Sequence, residues 1–136
     1  MRVLFLDIDG VLAPWESEGL ATSCVTLLDE LVSRARCDIV LSSSWREHTP
    51  LSVIEAALRR SGLRHPLLDA TPILPHADRV VEIETWLAEH SAVRTFVALD
   101  DQPLPGLETR HVRTDDEVGL TRADLEHALR LFDVDR

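Results

Sequence analysis

Val3-Leu4-Phe5-Leu6-Asp7-Ile8-Asp9-Gly10-Val11 decides how this 136-residue chain folds. A continuous apolar run that ends in acids reads as a buried parallel strand, residues 3–8, with two carboxylates at its mouth. Side chains of an extended segment alternate, so Asp7 and Asp9 share one side, and Gly10 permits a sharp turn with the backbone close to a ligand. Two like charges this close repel unless a cation or a shared proton offsets them. The stretch therefore suits a divalent cation held against a phosphate; the alternative is an ordinary acidic turn.

Outward from this stretch, strand and helix alternate. Residues 22–35 place Val25, Leu28, Leu31, Val32 and Ala35 at helical spacing, with Thr22 or Ser23 available as N-cap. Residues 38–42 form a second strand, and Leu51, Ile54, Ala57 and Leu58 mark a helix stopped near Gly62. Residues 64–76 carry Pro66, Pro72 and Pro75 and read as an irregular surface segment that leans over the site. A helix over residues 78–90 has Val80, Ile83 and Leu87 on its apolar side, with Trp86 in the core. Residues 95–99 make a buried strand ending in Asp100-Asp101. Residues 108–113 read as a polar edge strand. Thr121-Arg122-Ala123-Asp124 reads as a capping box opening a last helix, with Leu125, Ala128, Leu129 and Phe132 facing the core and residues 133–136 frayed.

This order predicts an α/β fold: a three-layer, Rossmann-like, mostly parallel sheet with helices on both faces, in a single domain over residues 1–136. Such sheets bind ligands at their strand C-termini. Asp7 with Asp9, Ser42-Ser43-Ser44, and Asp100-Asp101 each follow a different strand, so the topology brings all three groups to one crevice.

With 24 acidic against 14 basic residues, the net charge of −10 argues against a broad electrostatic grip on nucleic acid. A short or single-stranded end entering a locally positive pocket remains compatible. Cys24 and Cys37 are too few for a disulfide framework and read as reduced core thiols. His48, His65, His76, His90, His111 and His127 show no zinc-ligand spacing and read as surface residues. No leader pattern and no run of membrane-spanning length is evident, so the expected location is cytoplasmic, with no membrane partner.

The chemistry follows from the acids. A carboxylate can attack phosphorus to give an acyl phosphate, which assigns Asp7 as nucleophile. Asp9 then protonates the leaving oxygen and later deprotonates water. Mg²⁺ takes oxygen ligands, and Asp7, the Asp9 carbonyl and Asp100 supply three, with Asp101 as a further ligand or its partner. Phosphoryl oxygens need hydroxyl, N–H and cationic donors. Ser43, with Ser44 beside it, supplies the hydroxyl, or Ser42 if the strand ends one residue earlier; Gly10 supplies close backbone and Arg79, at a helix start, supplies charge.

These residues resemble the haloacid dehalogenase superfamily of aspartate-nucleophile phosphatases, whose four motifs appear in order. Asp7-x-Asp9-Gly10-Val11 is similar to the first, Val40-Leu41-Ser42-Ser43 to the second, Arg79 to the basic third and Leu99-Asp100-Asp101 to the paired-acid fourth. The third is often Lys, and the forked guanidinium grips phosphate differently. Ser43-Ser44-Trp45-Arg46, Arg79 with Glu82-Ile83 and Trp86-Leu87, and Gly119-Leu120-Thr121 further resemble the haloacid-dehalogenase-like domains of Swiss-army-knife RNA repair proteins. The resemblance covers essentially the whole chain. The intervals between motifs have no room for a cap domain, and by analogy an open site suits a bulky or polymeric substrate, or a protein partner that completes the pocket.

The resemblance implies a Mg²⁺-dependent phosphomonoesterase acting on a phosphorylated substrate, a nucleotide or nucleic-acid end. The alternatives are a small-metabolite phosphatase and a catalytically weak phosphate-binding module that needs a partner. Halide removal gives Asp9 no leaving oxygen to protonate. Trp15 and Trp45 follow strand ends where an indole can stack on a base, although packing against loops is the preferred reading. Arg46 and His48 read either as ligands of a second phosphate or of a leaving group, or as a solvated loop, and Arg59-Arg60 as a solvated helix face.

Overall fold

Val3 and Phe5 turn to one face of the first strand and Leu4 and Leu6 to the other, all four buried, and this alternation sets the layers. In the computed structural model, which describes residues 1–134, β1 (Arg2–Leu6) is the centre of a wholly parallel five-stranded sheet. Its neighbours are β2 (Asp38–Leu41), β3 (Leu67–Ala70), β4 (Thr95–Asp100) and β5 (His111–Arg113), in the order β3-β2-β1-β4-β5. Helices α1 (Thr22–Ala35), α2 (Leu51–Arg60) and α4 (Arg122–Val134) pack on the Leu4 and Leu6 face, and α3 (Arg79–Ala88) on the other. The three layers are those that the resemblance implies. A loop and α1 stand between β1 and β2, and a 3-10 turn, α2, β3 and loops between β2 and α3, so among the described residues no cap domain interrupts the motifs.

The register levels the strand ends. Leu6 pairs with both Leu41 and Leu99. One residue further, the Asp7 N–H donates to the Leu99 carbonyl at 3.1 Å and the Ser42 N–H to the Leu6 carbonyl at 2.9 Å. Asp7, Ser42 and Asp100 therefore arrive side by side. Opposite α1, Phe5 meets Trp86 edge to face at 5.6 Å between centroids, a geometry that contributes about 1 kcal/mol beyond area burial. The Trp86 Nε1–H donates to Asp69 Oδ2, tying α3 to β3.

Several local expectations are corrected. β1 stops at Leu6 because the Ile8 carbonyl accepts the N–H groups of Val11, Leu12 and Ala13 and turns the chain. Residues 64–76 are not irregular throughout: residues 67–70 form β3, an edge strand with a single buried residue, which apolar periodicity cannot register. The segment is also tied down, since the Thr71 and Pro72 carbonyls accept from Arg46 and the Leu74 N–H donates to Glu82. Residues 108–110 form a 3-10 turn, leaving β5 three residues long at the opposite edge. The residue before α1, Ala21, provides no side-chain cap, and neither Thr22 nor Ser23 takes that place.

The capping box at Thr121 forms as expected, Thr121 Oγ1 accepting from the Asp124 N–H and Asp124 Oδ2 from the Thr121 N–H. Asp133 lies within α4 rather than in a frayed end, and residues 135–136 are outside the described residues. Both cysteines are buried, and burial pushes the Cys37 thiol up to about 12. Among the described residues no helix is long and apolar enough to cross a membrane.

Candidate active site

Asp7, Asp100 and Asp101 each place a carboxylate oxygen within 4.8 Å of the other two. Asp7 and Asp100 are buried and Asp101 is half-buried. Asp7 Oδ1 accepts from the Ile8 N–H and Asp100 Oδ1 from the Gln102 N–H, which fixes both carboxyl groups. Arg79, at the first position of α3, reaches across with Nη1 at 3.1 Å from Asp7 Oδ2 and 2.8 Å from Asp100 Oδ2.

One guanidinium cannot offset three carboxylates. Burial pushes the Asp7 carboxyl well above its ordinary value; Arg79 pulls it down, while the Asp100 charge and a hydrogen bond with Asp101 push it up again. The cluster has excess negative charge in a low-dielectric place and an oxygen-only donor set, which is the chemistry of a hard divalent cation site.

Gly10 makes the cluster possible. Its φ is +78°, and a Cβ there would stand 2.5 Å from both Cγ and Oδ2 of Asp101. Gly10→Ala is therefore expected to strain the turn and push Asp101 outward, weakening divalent-ion affinity by about tenfold or more. Calorimetric titration of Mn²⁺ into both proteins reads this, and equal affinities would dismiss the packing role of Gly10. The same turn is held by a residue that sequence reasoning missed: Thr114, just past β5, donates Oγ1–H to the Gly10 carbonyl at 2.8 Å and its N–H to the Asp100 carbonyl. Its signal was its place at a fourth strand end. His111, expected on the surface, is half-buried with Nε2 2.9 Å from the Asp100 carbonyl, which fixes the ring proton on that nitrogen.

Asp9 stands apart from the cluster. It is exposed, and its Oδ1 accepts from the Trp45 indole Nε1–H at 3.0 Å. β2 ends at Leu41, one residue short of the expected strand, which favours Ser42 over Ser43; of the three serines, Ser42 and Ser43 are buried and Ser44 is exposed. The Ser43 hydroxyl oxygen accepts the Trp45 N–H and opens a 3-10 turn over Ser44–Glu47.

Arg46 is not solvated, although it lines the same hollow as Arg79. Its guanidinium donates to the carbonyls of Ser42, Ser43, Thr71 and Pro72 and pairs with Glu82 at 2.7 Å. The expected phosphate-side donors Ser44 and Arg79, together with Asp100, line one hollow of about 530 Å³. Asp9, Gly10 and Asp101 line a second of about 400 Å³. Trp45 is half-buried in the wall of that second hollow, while Trp15, expected to pack against loops, is 80% exposed at its edge. The loop gives its buried positions to Val11, Leu12 and Pro14, and the Trp15 N–H is tied to the Asp116 carbonyl.

The family described as the HAD domain in Swiss Army Knife RNA repair proteins matches residues 3–125. No curated protein matches the chain.

Proposed function

The chain belongs to the family of HAD domains found in Swiss Army Knife RNA repair proteins, and on that footing we propose that it is a Mg²⁺-dependent phosphomonoesterase working through an aspartyl-phosphate intermediate on a nucleotide or nucleic-acid end. The observation that carries this reading is a buried carboxylate, Asp7, set between Arg79 and two further acids, with an exposed carboxylate, Asp9, two residues away.

A carboxylate oxygen of Asp7 attacks phosphorus while the bond to the leaving oxygen breaks, and Asp9 gives that oxygen its proton. Asp9 then takes a proton from water, the water oxygen attacks the acyl phosphate, and Asp7 departs as carboxylate with inorganic phosphate released. Arg79, forked and permanently charged, stands where charge develops on the phosphoryl oxygens. β2 ends at Leu41, which puts Ser42 beside Asp7 as hydroxyl donor to the phosphate; the Ser43 hydroxyl accepts from Trp45, Ser44 adds a hydroxyl at the same edge, and the Gly10 N–H and carbonyl are already taken by Ala13 and Thr114. Asp7, Asp100 and Asp101, with the Asp9 carbonyl beside them, would hold Mg²⁺, which when bound would supply the positive charge that three acids beside one arginine require.

Phosphate release from an aryl phosphate, from mononucleotides and from 3′- and 5′-phosphorylated oligonucleotides tests the proposal. EDTA is expected to slow release by about a hundredfold or more, with Mg²⁺ restoring it. Release that survives EDTA excludes the metal. No release from any substrate excludes the phosphatase.

A further inference from the structure

The two hollows divide the reaction. A general acid must reach the leaving oxygen. Asp9 lines only the smaller hollow, whereas Arg79 and Asp100 line only the larger. Resting on the phosphatase reading, we infer that the smaller hollow is the leaving-group subsite and that Trp15 and Trp45 form it as a stacking site for the base of a nucleoside monophosphate.

Three observations carry this. An indole left 80% exposed beside a cavity is apolar surface that water solvates poorly and a flat ring would cover. Trp45 has its ring fixed through its N–H by Asp9, so an aromatic wall is anchored to the very group that would protonate the leaving oxygen. The volume of about 400 Å³ accommodates a base and sugar, and among the described residues no lysine or arginine lines it; Asp101 and Asp116 do. Attraction here comes from stacking and not from counter-charge, which favours a leaving group without further phosphates over a polyanionic strand.

Isothermal titration of the Mg²⁺-loaded protein with adenosine monophosphate (3′ and 5′) and with ribose 5-phosphate, in the Asp7→Asn background to prevent turnover, measures the contribution of the base. Adenosine monophosphate is expected to bind at least about tenfold more tightly than ribose 5-phosphate, and Trp15→Ala to remove most of that ratio, in line with one base–aromatic stack. Trp15 is exposed, so its truncation leaves the core untouched. Trp45→Phe, which keeps a ring without the indole N–H, is expected to retain the ratio. Equal binding of the two ligands, or a ratio that Trp15→Ala leaves in place, overturns the inference. The phosphatase reading fails separately, through absence of phosphate release by the native chain, whatever the binding ratio.

Discussion

Asp7→Asn is expected to lower phosphate release by about four orders of magnitude or more, the scale on which loss of a covalent nucleophile acts, while leaving the fold intact or firmer. The amide offers no anionic oxygen to attack phosphorus. Stability is expected to move the other way, because the Asp7 charge is buried beside Asp100 and Asp101 with one arginine among them. Removing it relieves repulsion, and Arg79 keeps its 2.8 Å contact with Asp100. Melting in EDTA is thus expected at or above the native temperature, the usual opposition between an active site and stability. Release measured with Mg²⁺ and an aryl phosphate checks the first half. Retained release removes Asp7 as nucleophile, and lost release accompanied by a melting point several degrees lower would assign Asp7 a structural role instead.

Asp7, Asp100 and Arg79 could be placed from sequence because each depends on one short-range rule. An apolar run ending in acid names a strand end, parallel strands finish level, and a helix start faces the same edge. Arg46 obeys no such rule. In Ser44-Trp45-Arg46-Glu47-His48 it looks solvated; its burial depends on carbonyls at the ends of β2 and β3 and on Glu82 in α3, which meet only in the folded chain. β3 carries no sequence signature for a related reason, since its pairing with β2 holds it and not its own apolar content. Trp15 departs from expectation because tryptophan's general tendency to bury says nothing about a loop whose neighbours already fill the inward positions.

Arg46→Met is expected to cost about 3–5 kcal/mol, a large share of the roughly 5–15 kcal/mol that holds a domain of this kind. The Arg46 and Glu82 side chains are only 6% and 11% exposed, so removing the guanidinium leaves a buried carboxylate without its partner. Four carbonyls lose a donor at the same time. Arg46→Lys is expected to rescue little, because an ammonium has three donors and no fork to span these positions. Arg46→Met combined with Glu82→Leu is expected to recover part of the loss, since no charge is then stranded, though the Leu74 N–H still loses its acceptor. Urea unfolding of the native, single and double variants gives the free energies. A single-variant cost below about 1 kcal/mol would mean that the pair is not a staple. The expected cost also reaches the chemistry: Arg46 binds the Ser42 and Ser43 carbonyls on one side and the Thr71 and Pro72 carbonyls on the other, so its loss frees the serine loop and the segment facing Arg79 together. Phosphate release should fall at temperatures where the variant is still folded, because near-attack geometry tolerates little displacement.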